Sequence, residues 1–302
     1  MALSLPRIGL GTAALGGLFE PVREEQAVAT IERAWERGVR FFDTAPLYGF
    51  GRSEQFLGRV LAGRPRGEYV LATKVGRLLR ADAPPDPGQP FWRGVPALNP
   101  VFDFSRDGVL RSLEESLGRL GIDRVDVVHV HDPDDHLDEA IDDAYPALAR
   151  LRDEGAIRAV GVGANRVEPL LRFLRETDVD CFLVAGRHTL LDRTATSELL
   201  PLCRERGVKV IVGGVLNSGL LAGGTTFDYL PAGPGMLAAA DRAARACEHH
   251  GVPLLAAALQ FPLREPGVAS VLTGARSALE LDASLDALAI AVPPDLWHEL
   301  GA

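Results

Sequence analysis

Little in this chain supports a disulfide frame, a membrane anchor or a nucleic-acid surface. Its three cysteines, Cys181, Cys203 and Cys247, are odd in number and scattered, which fits a reducing compartment and leads us to expect a cytoplasmic protein. The densest apolar run, residues 252–263, is broken by Pro253, Gln260 and Pro262. It is shorter than the ~18–20 residues that a helical span needs. No basic stretch followed by an apolar one opens the chain, so no secretory signal is expected. Positive charge is scarce as well: 32 Lys and Arg against 41 Asp and Glu leave −9. Nucleic acids and anionic membranes require the opposite balance. What is present is an ordinary globular composition, 47% hydrophobic and 24% charged over 302 residues, enough to bury a sizeable core.

One pattern repeats along the chain. Short β-branched or aromatic runs alternate with amphipathic helical stretches. Strands are expected at residues 8–12, 39–43, 69–74, 125–131, 159–163, 181–186, 208–213 and 269–273. Several are continuous apolar runs without alternation, as strands covered on both faces are. Between them, Ala27, Ile31, Ala34 and Trp35 share a helical face, as do Leu110, Leu113, Leu117 and Leu120, and Ile141, Tyr145, Leu148 and Leu151. Gly38, Gly121, Gly155, Gly207 and Gly251 each follow a helical pattern, where a left-handed cap belongs. A last helix is expected near 278–288. Length alone would allow two domains, but strand–helix units filling the whole chain predict an α/β fold, a single (β/α)8 TIM barrel over residues 1–302. The rival is an open doubly wound sheet. It would carry a Gly-rich fingerprint after its first strand, and Gly9, Gly11, Gly16 and Gly17 lack that spacing.

Two stretches escape the repeat. Residues 80–104 are rich in Pro and Gly and contain Phe91, Trp92, Phe102 and Phe104. Long aromatic loops without periodicity are usually functional, and a substrate lid is expected here. Residues 216–234 form a second Gly-rich loop. In a barrel of this kind the reactive groups gather at the C-terminal strand ends. Those ends supply Asp43, with Tyr48 just beyond, then Lys74, His131 and Asp132, Asn165 and Arg276. Singly, each has a bland explanation as a cap, a loop aromatic or a solvated strand end. Together they suit proton transfer. A tyrosine titrates near ~10 and works near neutrality only if its phenolate is stabilised. An ammonium does this, a carboxylate holds the ammonium, and an imidazole orients the reacting oxygen. Carbonyl–carbinol interconversion needs these groups plus a bound hydride carrier.

The segments Phe42-Asp43-Thr44-Ala45-Pro46-Leu47-Tyr48-Gly49, Ser53-Glu54, Leu57-Gly58, Ala72-Thr73-Lys74-Val75-Gly76, His129-Val130-His131-Asp132-Pro133 and Gly274-Ala275-Arg276-Ser277 resemble the aldo-keto reductase superfamily in order and spacing. The resemblance spans essentially the whole chain. It implies Tyr48 as general acid/base, Asp43 and Lys74 as the pair that tunes it, and His131 as the residue that orients substrate. It also implies a nicotinamide dinucleotide held without a Rossmann fold. Residues 102–109, 131–134, 186–191 and 217–221 are similar to the D-threo-aldose 1-dehydrogenase group, which includes L-fucose dehydrogenases, with pyridoxal 4-dehydrogenase and L-galactose dehydrogenase as near relatives. These enzymes oxidise a cyclic hemiacetal to a lactone. By the same resemblance, Asn165, Asn217, Ser218, Gly219, Leu220, Gly274, Arg276, Glu280 and Ser284 are the expected cofactor contacts. Trp92, Phe102, His188 and Asn217 lie in loops that would line a substrate pocket.

The pattern lapses in three places. Ala164-Asn165 stands where many relatives have Ser-Asn, Ala185 where Gln is usual, and Gly213 and Leu216 where an aromatic stacks on nicotinamide. Glu280 falls opposite the expected 2′-phosphate position. It would repel a dianion and accept from a free ribose hydroxyl, so NAD is expected ahead of NADP; Arg276 nearby would favour a phosphate. Two rivals of other classes stand beside this reading. One is a metal-dependent barrel hydrolase, suggested by His129-Val130-His131, although no metal is expected because no third His sits at a strand end. The other is a cofactor-binding regulatory subunit without turnover. Oligomeric state is not legible.

Overall fold

The computed structural model describes residues 3–86 and 88–301. Eight parallel strands close into a barrel: β1 (Ile8–Gly11), β2 (Phe41–Asp43), β3 (Val70–Val75), β4 (Val127–His131), β5 (Ala159–Ala164), β6 (Cys181–Ala185), β7 (Lys209–Gly213) and β8 (Val268–Gly274). The expected strands are all present, with ends displaced by no more than two residues. Closure is direct, because β1 pairs with β2 on one side and with β8 on the other. An open sheet is thereby excluded.

Helices cover the outside: α1 (Glu24–Glu36), α2 (Arg52–Leu61), α3 (Arg106–Leu120), α4 (Tyr145–Asp153), α5 (Val167–Glu176), α6 (Leu199–Arg206), α7 (Pro234–His249), α8 (Leu254–Gln260), α9 (Ala278–Ala287) and α10 (Pro294–Glu299). The five glycines expected to stop helices all have positive φ, between 64° and 83°. In α1, Ala27, Ile31 and Ala34 are fully buried, as their spacing requires.

Strand alternation sorts the interior. Phe41, Val70, Ala72, Val127, Ala159, Cys181, Leu183, Ile211 and Leu272 fill the barrel from its base. Their partners of opposite parity, such as Phe42, Leu71 and Val128, pack outward against the helices. Following the inward parity upward, Phe41 gives way to Asp43, Ala72 to Lys74, and Val127 to His129 and His131. The interior therefore changes from apolar to polar towards the C-terminal strand ends. Gly161 permits one such polar residue: a Cβ there would lie 2.3 Å from Nδ1 of His129.

The two irregular stretches are partly ordered. Residues 80–104 were expected to be a loop without periodicity. Instead Arg77–Arg80 and Asn99–Phe102 form an antiparallel hairpin directly after β3, and only 81–98 are irregular. The ladder is short and contains Pro100, which hides it from a pattern search. Within the second loop, Thr226–Phe227 pairs with Leu230–Pro231. Asp228 and Tyr229 turn that second hairpin with φ of 47° and 65°. No described helix is long and apolar enough to cross a membrane.

Candidate active site

A cavity of about 490 Å³ opens at the C-terminal end of the barrel. Lys74 and His131 reach it from the ends of adjacent strands β3 and β4, and Tyr48 from the loop after β2, while Asp43 at the end of β2 lies behind Lys74. That loop is held by close backbone approach. A Cβ on Gly16 would lie 2.6 Å from the Tyr48 carbonyl carbon, and one on Gly49, whose φ is +64°, would lie 2.1 Å from the Gly16 oxygen. Only glycine fits at both positions. Ser53 fastens the same loop from behind, 2.5 Å from Thr12 Oγ1 and 2.9 Å from Thr44 Oγ1. Glu54, fully buried, accepts from Thr73 on β3 at 2.7 Å and from Arg119 on α3 at 2.6 Å. These Ser-Glu contacts fix Tyr48 relative to Lys74.

Lys74 is almost completely buried and donates to Asp43 Oδ1 at 2.9 Å, Asp43 Oδ2 at 2.7 Å and the Thr44 carbonyl at 2.9 Å. Its ammonium lies 4.5 Å from the centre of the Tyr48 ring. The Tyr48 and His131 rings meet edge to face, 5.8 Å between centres. Burial pushes the Tyr48 phenol well above its ordinary range, with the Asp43 and Asp132 carboxylates adding to the rise and Arg77 opposing it. Burial likewise holds His131 well below the usual imidazole range, helped by Arg77, Lys74 and His129. The Asp43 carboxyl is raised by burial, which contact with Lys74 opposes. A neutral phenol and a neutral imidazole therefore face the cavity, both able to hydrogen-bond one substrate oxygen.

Asp132, immediately after β4, adds a carboxylate to the wall. Arg77 donates to its Oδ2 at 3.0 Å, and Asn165 to its Oδ1 at 3.3 Å. Tyr229 in turn donates to Asn165 Oδ1 at 3.3 Å. The mouth is narrowed by aromatics: Trp92 lies 6.0 Å from Tyr48, and Phe91 stacks on Tyr229 at 4.9 Å. The loop after β3 and the loop after β7 thus meet over the cavity. Arg77 and Tyr229 escaped sequence reasoning, since their roles depend on contacts between segments far apart in the chain.

Of the other expected site residues, Asn165 and Trp92 line the cavity. Two do not. Phe102 lies on the outer part of the first hairpin, 42% exposed, over the Arg77 guanidinium and beside Phe104 and His136. His188 is packed against Phe261 and contacts Thr196 Oγ1; burial lowers it to about 4. Asn217, Ser218, Gly219 and Leu220 make a tight turn beyond β7, with positive φ at the first three. Asn217 is buried and its Oδ1 has no partner. Gly274 ends the neighbouring strand β8. There Glu280 accepts from the Arg276 backbone N–H at 2.8 Å and from its guanidinium at 3.2 Å, while Glu20 takes the other guanidinium nitrogen at 2.9 Å. Ser284 is buried in α9 and donates to the Glu280 carbonyl at 3.0 Å.

These residues fit a nicotinamide dinucleotide. Gly163, Ala164 and Ala185 line the cavity with nothing larger than a methyl group, Asn165 offers an amide, and the unpartnered Asn217 oxygen offers an acceptor. For a metal the donor set is poor. His129 is sealed beneath the cavity, lowered by burial to about 3. Among the described residues, the group of side chains close enough to share an ion is His249, His250 and Glu299, outside the barrel.

The family model for the aldo/keto reductase family matches residues 7–301. The chain belongs to the aldo-keto reductase family. It is 40% identical to a D-threo-aldose 1-dehydrogenase of Pseudomonas sp, over 99% of this chain and 94% of that protein. It is 39% identical to the pyridoxal 4-dehydrogenase of Microbacterium luteolum, over 99% and 94%. Among solved structures, a glycerol dehydrogenase of Gluconobacter oxydans superposes with a TM-score of 0.77 at 27% identity, covering 98% of this chain and 90% of that one. Aldo-keto reductases are oxidoreductases that use NAD(P)H, and this barrel shares their architecture.

Proposed function

We propose that this aldo-keto reductase oxidises the anomeric hydroxyl of an aldose, of the L-fucose, D-arabinose or L-galactose type, to the lactone. The observation that carries the reading is the meeting of Tyr48 and His131 with the Asp132 carboxylate in one aromatic-rimmed cavity. A cyclic sugar presents hydroxyls to polar groups and a C–H face to aromatic ones. The similarity to a D-threo-aldose 1-dehydrogenase over almost the full chain supports it.

His131 and Tyr48 hold the anomeric oxygen, and the tyrosine, as phenolate, takes its proton. A nicotinamide, when bound, would supply the acceptor for the hydride that leaves C1. Asp43 holds the Lys74 ammonium against the Tyr48 ring, where its charge favours the phenolate through space. Residues 163–165, 185, 217–220, 274, 276, 280 and 284 are the ones that would hold the dinucleotide. The preferred cofactor is NAD. Glu20 and Glu280 surround Arg276 with two carboxylates, leaving that corner unfavourable for an additional phosphate. The three buried free cysteines accord with a cytoplasmic location.

The test is a screen of L-fucose, D-arabinose, L-galactose and pyridoxal with NAD, followed at the NADH absorbance band. Turnover of a sugar above pyridoxal supports the reading. Pyridoxal turnover alone would assign the second reading, which the stacked Phe91–Tyr229 pair and the Microbacterium relative favour. Tight nucleotide binding without turnover of any carbonyl or carbinol would make it a regulatory subunit.

A further inference from the structure

Asp132 has no part in the proton transfer, yet the fold aims it deliberately. Its backbone takes a left-handed φ of 42°, a conformation that Asp tolerates better than most side chains and that its contacts fix here. The holding contacts are the Asp132 N–H to the Gly163 carbonyl, 2.9 Å, and the two side-chain donors, Arg77 and Asn165. The carboxylate lines the cavity directly beside His131, with His131 Nε2 and Asp132 Oδ2 3.5 Å apart. An ionised carboxylate has about four acceptor positions. Arg77 and Asn165 occupy one on each oxygen, which leaves acceptor capacity facing the cavity. Of the other lining residues, Leu18, Leu47 and Trp92 offer no acceptor, and the second carboxylate, Asp228, is tied to Arg187 at 2.7 Å.

We propose that Asp132 is the specificity-determining residue that selects neutral, hydroxylated carbonyl or hemiacetal substrates, accepting hydrogen bonds from hydroxyls next to the reacting carbon. The assignment deepens the aldose reading and rests on its placement of that carbon beside Tyr48 and His131. An acceptor-only group discriminates sharply. A substrate with a hydroxyl at this point satisfies the carboxylate's remaining acceptor positions, whereas one with a methyl group covers them without supplying a donor. Arg77 is a positioning residue: it touches the carboxylate, not the cavity, and its guanidinium is held over Phe102 at 4.6 Å.

The test compares the wild type with Asp132→Asn on two aldehydes of equal length, glyceraldehyde and propanal, in the reductive direction, and on L-fucose in the oxidative one. The wild type is expected to prefer glyceraldehyde. Asp132→Asn should lower kcat/KM for glyceraldehyde and L-fucose by about 10–100-fold, mainly through KM, the range for a lost hydrogen bond to a charged group. The loss for propanal should be at least about tenfold smaller, and Asp132→Glu should recover part of the preference. Equal losses for both aldehydes, or a wild type indifferent to the hydroxyls, would overturn the assignment. If the variant does not fold, inhibition of the wild type decides. A 1,5-anhydrohexitol should compete with glyceraldehyde where tetrahydropyran does not, and equal inhibition by the two would sink the idea. If no aldose is oxidised while the glyceraldehyde preference and its loss in Asp132→Asn persist, the aldose reading fails and the assignment of Asp132 stands.

Discussion

Lys74 points its three protons at Asp43 Oδ1, Asp43 Oδ2 and the Thr44 carbonyl, so its link to Tyr48 is a charge 4.5 Å from the ring centre and not a hydrogen bond. The sequence suggests an ammonium that stabilises the phenolate. In the structure burial, with the Asp43 and Asp132 carboxylates, raises the phenol and keeps it protonated, and the cation that opposes the rise is Arg77. The resting tyrosine is an acid.

A pH dependence follows. Because the Tyr48 phenol is raised, the phenolate needed for oxidation becomes more populated as pH rises, and the phenol needed for reduction becomes less so. Oxidative kcat/KM should climb from pH 7 to at least about 9, and Tyr48→Phe should abolish the slope. The same variant should lower kcat by about 10²–10⁴-fold, the usual contribution of a general acid/base, with nucleotide binding by fluorescence titration nearly intact. Activity surviving the change would remove Tyr48 from the mechanism.

Breaking the buried pair should be costly on one side only. Lys74→Met leaves Asp43 uncompensated and should destabilise by about 3–5 kcal/mol, as removal of one member of a buried ion pair does. Adding Asp43→Asn should restore much of the melting temperature without restoring activity. A double variant no more stable than the single would show that the two groups are not energetically coupled.

Low pH should destabilise the fold through His129. Its pKa is about 3 in the folded protein against 6.5 for the free side chain, so between those values the unfolded chain binds more protons. The stabilising contribution is complete above about pH 6.5 and declines as pH falls towards 3, at most ~1.4 kcal/mol per pH unit. His129→Gln should flatten the pH dependence of urea midpoints between pH 6.5 and 4. Gly161→Ala, which drives a methyl against the same ring, should cost about 1–3 kcal/mol by overpacking.

Cofactor choice should respond to the Arg276 corner. The wild type is expected to show kcat/KM for NAD at least about tenfold above that for NADP. Glu280→Gln frees Arg276 from one carboxylate, which should narrow the ratio by raising NADP efficiency. Equal use of both cofactors by the wild type would count against the electrostatic argument.

The sequence by itself determined the eight strands and the helix stops, because short apolar runs and left-handed caps are local properties. Phe41/Asp43, Ala72/Lys74 and Val127/His129/His131 share a parity within single strands, and closure of the barrel turns that parity inward. Tertiary structure alone decided what the loops do. Phe102 and His188 are loop residues of the expected kind, yet one folds outward over Arg77 and the other packs on Phe261. Tyr229 reaches Asn165 from 64 positions away, and Arg77 reaches Asp132 from 55. Such contacts depend on where closure of the barrel brings two strand ends together, and that distance is set by the shape of the whole ring.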